Sequence, residues 1–486
     1  MSRILRRFAG AALAVALGAC AQAPPPAPEV PSEAARIARV EAGLLPPVVL
    51  RGREVEAMAL SDRLDHYRAS ALSLAVIDGY EVVWAQAWGT VALDREEEVT
   101  PESLFQAGSM SKPVAALVVA ALTLKGELSL DLPLAALVEG RPEIREAVGP
   151  RMLLRHLLAH TAAFPVHSWR GWYRDQELPS TGEMLAEAEL FPTGPPGEEV
   201  RYSNTGYLLV QLAVEEATGR PFHRVAADAL FSPLGLDHSS FQEPLPRSLW
   251  ESSVWGHYQG ERVRGKGRMY PAAPAGLWTT PSDLARLMAE VLRAANGRSQ
   301  AVVPASIARA MIQPVLPGAE RSLAWSVTGD GDARRIHHEG RVAGFTAYVV
   351  GYPERGQGVA VMSNSHGSHP LNLEVARAVA AEYGWPQFVM ERETVELSEG
   401  ELRHLEGRYE YALPAGVVVT FTVRDSRLFG QTGKGPAWEA IPVGEREFVT
   451  AVGNAVIRFE VDEEGRVTGF RIGVPGGSWT EVDRVE

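Results

Sequence analysis

The texture of this chain changes once, near residue 390, and that change limits what it can fold into more than any other feature. Before it, segments of two periods share the sequence. Leu72-Ser-Leu-Ala-Val-Ile77, a turn at Asp78-Gly79 and Glu81-Val-Val-Trp84 read as a hairpin. Ser109 to Lys125 reads as an apolar helix (Val114, Leu117, Val118, Ala121, Leu122) closed by Gly126. Helical patterns also run over about 55–67, 152–159, 205–218, 281–294, 303–312 and 371–382, and strand patterns over 335–338, 344–351 and 358–363. Strands at both ends with helices between them predict one antiparallel sheet flanked by helices, an α+β arrangement. After residue 390 come short alternating strands at 417–423, 447–450, 455–461 and 467–472, split by turns such as Arg424-Asp-Ser426 and Asp462-Glu-Glu-Gly465. They predict a small all-β barrel or sandwich. At 486 residues the chain exceeds one ordinary domain; the expected units are 45–389 and 390–486.

The N-terminus reads as an address. Arg3, Arg6 and Arg7 precede an apolar run from Phe8 to Gly18, too short for a comfortable bilayer span. The run ends in Leu17-Gly18-Ala19-Cys20, and Cys20 is the only cysteine, so no intrachain disulfide can form. This ending resembles the lipobox of bacterial lipoproteins. The resemblance implies that residues 1–19 are removed, that the Cys20 thiol carries lipid, and that the protein is exported and membrane-anchored in the cell envelope, on its periplasmic side. Ala21 in place of Asp leans towards an outer membrane where one exists. Residues 20–44 form a tether and N-terminal segment, Ala/Pro-rich and extended over 21–35. Net charge is −13, or −16 after loss of the three arginines (−13 − 3), with no basic cluster. Nucleic acid is excluded as a partner, because phosphate binding needs surplus Lys and Arg.

Chemistry concentrates in three places. In Ser109-Met-Ser-Lys112 a helix start would put the amine one turn from the hydroxyl, on the same face. Serine is a poor nucleophile until a base takes its proton, and a desolvated lysine can be that base. The chain has only four lysines (Lys112, Lys125, Lys266, Lys434), which makes the pairing informative. Tyr202-Ser-Asn204 stands at the entrance to the 205–218 helix, where a phenol beside the lysine can shuttle protons. Asn204 there can donate to a substrate carbonyl and hold the ammonium. In His338-Glu-Gly340, a glycine in an edge strand admits a substrate backbone, and the Arg341 N–H is assigned as second oxyanion donor opposite that of Ser109.

Taken in this order, Ser109-x-x-Lys112, Tyr202-x-Asn204 and His338-x-Gly340 resemble the serine β-lactamase and penicillin-binding-protein superfamily, nearest to class C β-lactamases and related esterases and D-amino-acid peptidases. Leu104-Phe-Gln-Ala-Gly-Ser109, Arg155-His-Leu-Leu-Ala-His-Thr161 and Ala275-Gly-Leu-Trp-Thr-Thr-Pro-Ser-Asp283 match as well. The resemblance covers roughly 45–385 and implies an antiparallel sheet flanked by helices with an all-helical subdomain. It implies Ser109 as nucleophile, Lys112 and Tyr202 as proton relay, Asn204 as substrate-positioning group, and His338 with Gly340 as the far wall. Expected substrates are small esters, amides or lactams, or peptidoglycan-type peptides, with no cofactor and no metal. The rivals are a true β-lactamase and a catalytically silent envelope binding protein.

One departure matters. None of the four lysines is followed by Thr-Gly or Ser-Gly, the family's usual carboxylate anchor; His338 stands there, and an ordinary histidine is mostly neutral at pH 7. That favours an esterase or peptidase over an efficient β-lactamase. His156 and His160 are spaced like zinc ligands, but Leu157 replaces the needed Glu, so both read as structural. Trp169, Trp172 and Tyr173 are candidates to overhang the cleft.

Overall fold

The computed structural model describes residues 31–52, 57–165, 167–188, 190–386, 388–411, 416–433, 435–450, 455–473 and 479–485. Cys20 and the apolar run before it lie outside the described residues, as does Lys434. The first domain is organised by a six-stranded antiparallel sheet: β1 (Ala71–Asp78), β2 (Glu81–Gly89), β3 (Ser326–Thr328), β4 (Arg335–Val342), β5 (Phe345–Tyr352) and β6 (Gln357–Ser363), in the order β2-β1-β6-β5-β4-β3. Along β1, Ala71, Ala75 and Ile77 enter one core while Leu72, Leu74 and Val76 enter another. Both faces are covered, so the strand reads as a continuous apolar run rather than as an alternation.

Helices supply the covers. Glu33–Ala42 (α1) and His369–Glu382 (α5) lie on one face, while Pro281–Ala295 (α4) packs across the other. Two further helices, Ser111–Leu124 (α2) and Asn204–Thr218 (α3), belong to the helical layer beside the sheet and are buried along most of their length. A helix apolar on every side has to sit inside a large core. The tether expected over 21–35 ends earlier than its composition suggested. Ser32 caps α1 by accepting from Ala35 N, and Arg36 and Arg39 pair with Glu382 at 3.4 and 2.6 Å. The helix expected from residue 55 spans Leu60–His66, with 53–56 outside the described residues.

The second domain is a closed antiparallel barrel of eight strands, from Gly407–Tyr411 to Trp479–Arg484, which pair with each other to complete it. Tyr409, Phe421, Phe448, Phe459 and Phe470 fill its interior. Val48–Leu50 pairs with Met390–Arg392, and Val48 packs on Val449 and Val456 of the barrel.

Candidate active site

The sequence places Ser109 at a helix start; the structure puts it in a 3₁₀ turn, Gly108–Met110, with α-helix beginning at Ser111. The Ser111 hydroxyl ties the turn down, donating to Gly108 O (2.6 Å) and accepting from Leu277 N (3.0 Å). Lys112 follows, fully buried, while Ser109 is only half-buried. Its ammonium donates to Ser109 Oγ at 3.1 Å and to Pro274 O at 2.8 Å. Burial draws its pKa below the usual lysine range; the Tyr202 phenol opposes this through charge and a hydrogen bond, and Arg321 adds to the lowering.

Tyr202 arrives from a distant segment because Ser203 caps α3, accepting from Gly206 N at 3.1 Å. The Lys112 ammonium lies 4.9 Å from the centre of the Tyr202 ring. His160 packs on that ring at 4.4 Å and accepts from Ser203 N through Nδ1 at 3.1 Å. The two histidines read as structural therefore separate: His160 braces Tyr202, while His156 accepts from Leu153 N away from it. Asn204 does not hold the ammonium. Its side-chain amide donates to His167 O at 2.6 Å, and Pro274 O takes the place expected for it beside Lys112. The loop at 167–169 thus reaches the cleft edge, whereas Trp172 bonds Met269 and Tyr173 stacks with Arg264 and Arg268.

The third segment, β4, presses directly on the Ser109 turn. A Cβ on Gly340 would stand 1.9 Å from Ala107 O and 3.1 Å from Met110 N, and one on Gly108 would meet Arg341 N at 2.8 Å. Both positions require glycine for close approach of two backbones. Val342 and Phe345 close a two-residue hairpin, and β3 pairs only with residues 335–337 of β4. Antiparallel alternation then turns Arg341 N–H away from β5, towards the Ser109 turn. His338 faces inward, with its ring 6.4 Å from Tyr202 and 6.5 Å from Trp325. Its neighbours point elsewhere: His337 lies by Tyr348, and Glu339 binds His369 at 2.7 Å. Burial, with Arg321 and Lys112 nearby, holds the His338 pKa well below the imidazole range. Nδ1 contacts Glu339 O at 2.7 Å; a carbonyl only accepts, so Nδ1 carries the proton and Nε2 presents a lone pair.

Sequence reasoning missed Arg321, whose guanidinium carbon lies 5.7 Å from the Tyr202 ring. It sits in a loop before β3 with no motif around it. Trp325 was also missed. Together the residues place a hydroxyl against a buried amine of lowered proton affinity, beside a phenol and two inward-turned backbone segments. From such a set an alkoxide nucleophile and a stabilised oxyanion can be made.

Comparison with known proteins bears on this geometry. A family model described as Beta-lactamase matches residues 57–383. The chain is 27% identical over 289 residues to Esterase EstB of Burkholderia gladioli, covering 50% of this chain and 72% of that protein. It is 22% identical over 427 residues to Penicillin-binding protein 4* of Bacillus subtilis (strain 168), covering 80% and 89%. Its fold matches the octameric penicillin-binding protein homologue from Pyrococcus abyssi with a TM-score of 0.59 at 21% identity, over 87% of this chain and 98% of that one. The family match spans well over half the chain, across the sheet, the helical layer and all three segments of the cleft, and the chain belongs to the β-lactamase family of serine hydrolases.

Proposed function

We propose that the protein hydrolyses an ester or a D-amino-acid amide through an acyl-enzyme on Ser109. Lys112 takes the hydroxyl proton as Ser109 attacks the carbonyl, and Tyr202 passes a proton to the leaving group. The N–H groups of Ser109 and Arg341 hold the oxyanion, and water then releases the acyl group. Asn204 and the His338–Gly340 strand line the site. The observation that carries this reading is the fully buried Lys112 ammonium, 3.1 Å from Ser109 Oγ and 2.8 Å from the neutral carbonyl of Pro274. Buried, with its proton affinity lowered, it suits the part of a base. An esterase and a penicillin-binding protein among the relatives support the substrate class.

Ser109→Ala should abolish turnover of a nitrophenyl ester and labelling by a fluorophosphonate; unchanged turnover would sink the assignment. A silent binding protein would take up no label on Ser109 and turn over nothing. The same reading makes the protein an exported lipoprotein anchored through Cys20, on the strength of the Arg3–Cys20 pattern. Cys20→Ala should move it from the membrane to the soluble envelope fraction, and unaltered membrane recovery counts against the anchor.

A further inference from the structure

Tyr202 stands at the end of a stretch, 190–203, that contains no helix or strand. Its aim at Lys112 has to come from what the stretch is tied to. That is one turn, His160–Ala163, which follows helix Leu154–Leu158. Thr193 N donates to Ala163 O at 2.8 Å, Gly197 N to Thr161 O at 2.7 Å and Arg201 N to His160 O at 2.7 Å. The last rung uses a side chain: Ser203 N donates to His160 Nδ1 at 3.1 Å. His160 therefore holds the amides on both sides of Tyr202, one through its carbonyl and one through its ring. It also lays that ring on the phenol ring at 4.4 Å, with 32° between the planes. Tyr207 backs the histidine at 5.1 Å and anchors its own hydroxyl on Leu158 O.

This grip works against the stability of the turn. His160 and Ala163 both lie in the left-handed region, each with φ 58°, which is unfavourable for a residue with a Cβ. Because Nδ1 accepts, the imidazole carries its proton on Nε2, and that N–H is buried without a partner among the described residues. Burial, with Arg321 and Lys112 close by, keeps the ring neutral, so Nδ1 retains its lone pair. A glycine would relax the backbone, and an apolar ring would leave no donor stranded. Neither could hold Ser203 N. Strain and an orphaned polar atom kept at one position mark a role in function rather than in folding.

We propose that His160 is a positioning residue: it fixes the Tyr202 phenol against the Lys112 ammonium and acts on acyl transfer only through that phenol. The proposal rests on the Ser109 hydrolase reading and assigns to the 160–163 turn the geometry of its proton relay.

The test uses the full chain, nitrophenyl ester kinetics and a thermal melt. His160→Gly frees the backbone of strain but removes the grip. It should lower kcat by about 10- to 100-fold, the scale of a misplacement near 1 Å, with KM little changed. His160→Asn should recover part of the loss, because Asn tolerates the left-handed region and its oxygen, like Nδ1, is attached to Cγ. In a Tyr202→Phe background His160→Gly should lower kcat by less than about threefold further, since effects exerted through one group do not add. A merely structural histidine predicts the reverse, a lowered Tm and an equal loss of kcat in both backgrounds. That result, or a His160→Gly enzyme with kcat within about threefold of wild type, would overturn the proposal while leaving the hydrolase intact. Should His160→Gly fail to fold, His160→Phe keeps the ring and loses the acceptor. A fall in kcat that vanishes in the Tyr202→Phe background then supports the proposal, and an unchanged kcat or equal falls in both backgrounds overturn it. Failure of the hydrolase reading shows separately, as a wild type that takes up no fluorophosphonate on Ser109.

Discussion

Gly340→Ala is the sharpest probe of how this cleft is built. The new Cβ would stand 1.9 Å from the carbonyl oxygen of Ala107, where contacts under 3.0 Å essentially never occur. Both partners are backbone, so no rotamer change relieves the clash; β4 and the Ser109 turn must part by about 1 Å, a displacement that can cost about 100-fold in rate. The movement separates Arg341 N–H from Ser109, so the loss should fall mainly on kcat, where an oxyanion donor acts. Overpacking of this kind also costs about 1–3 kcal/mol of stability. The assay is nitrophenyl ester turnover beside a thermal melt, with Gly140→Ala as control, since a Cβ there meets nothing within 4 Å. A folded Gly340→Ala enzyme whose kcat stays within about threefold of wild type would refute the reasoning, because the strand would then not be setting the reacting geometry.

Other outcomes follow from the same geometry. Lys112→Ala and Tyr202→Phe should each lower kcat by about 100-fold or more, as loss of a general acid–base does; stopped-flow ester hydrolysis checks this, and a loss under fivefold counts against the relay. With Lys112 as the base, kcat/KM should rise with pH and level off below 10.5, the ordinary lysine value, because burial lowers its pKa. A rise that continues past that value contradicts the assignment. Acid should destabilise the fold early. His160, His337 and His338 have folded pKa values below 6.5, His337 at about 3. The unfolded chain then binds more protons, so their contribution is complete above about 6.5 and is lost as pH falls, by up to about 1.4 kcal/mol per pH unit for each histidine. Urea titrations between pH 7.5 and 5 test this, and constant stability across that window contradicts it.

Much of the fold was legible because burial on both faces leaves a plain mark. β1, β5 and β6 are apolar runs bounded by turn residues, and the structure places them within a residue or two of their sequence limits. Four of the eight barrel strands, Gly407–Tyr411, Arg427–Thr432, Ala437–Pro442 and Trp479–Arg484, escaped notice. Exposed positions and glycine dilute their alternation, and Gly430 makes sense only once the Trp438 ring is seen lying where a side chain would go. In the cleft, the three-residue step from Ser109 to Lys112 is a local signal, and the family order recruits Tyr202. Asn204 was placed by that order but not by its bond to His167, which depends on where the 167–169 loop runs.

The sequence alone determined the candidate set: a serine and a lysine one turn apart, a tyrosine at a later helix entrance, and a third motif without its lysine. Helical periodicity and residue order suffice for that, being properties of the chain itself. Tertiary structure decided the electrostatics. Only folding buries Lys112 against a neutral carbonyl, sets the His338 ring 6.4 Å from that of Tyr202, and brings Arg321 from an unmarked loop to the Tyr202 ring. Charge in a cleft depends on distance and dielectric, and neither is written in the order of the residues.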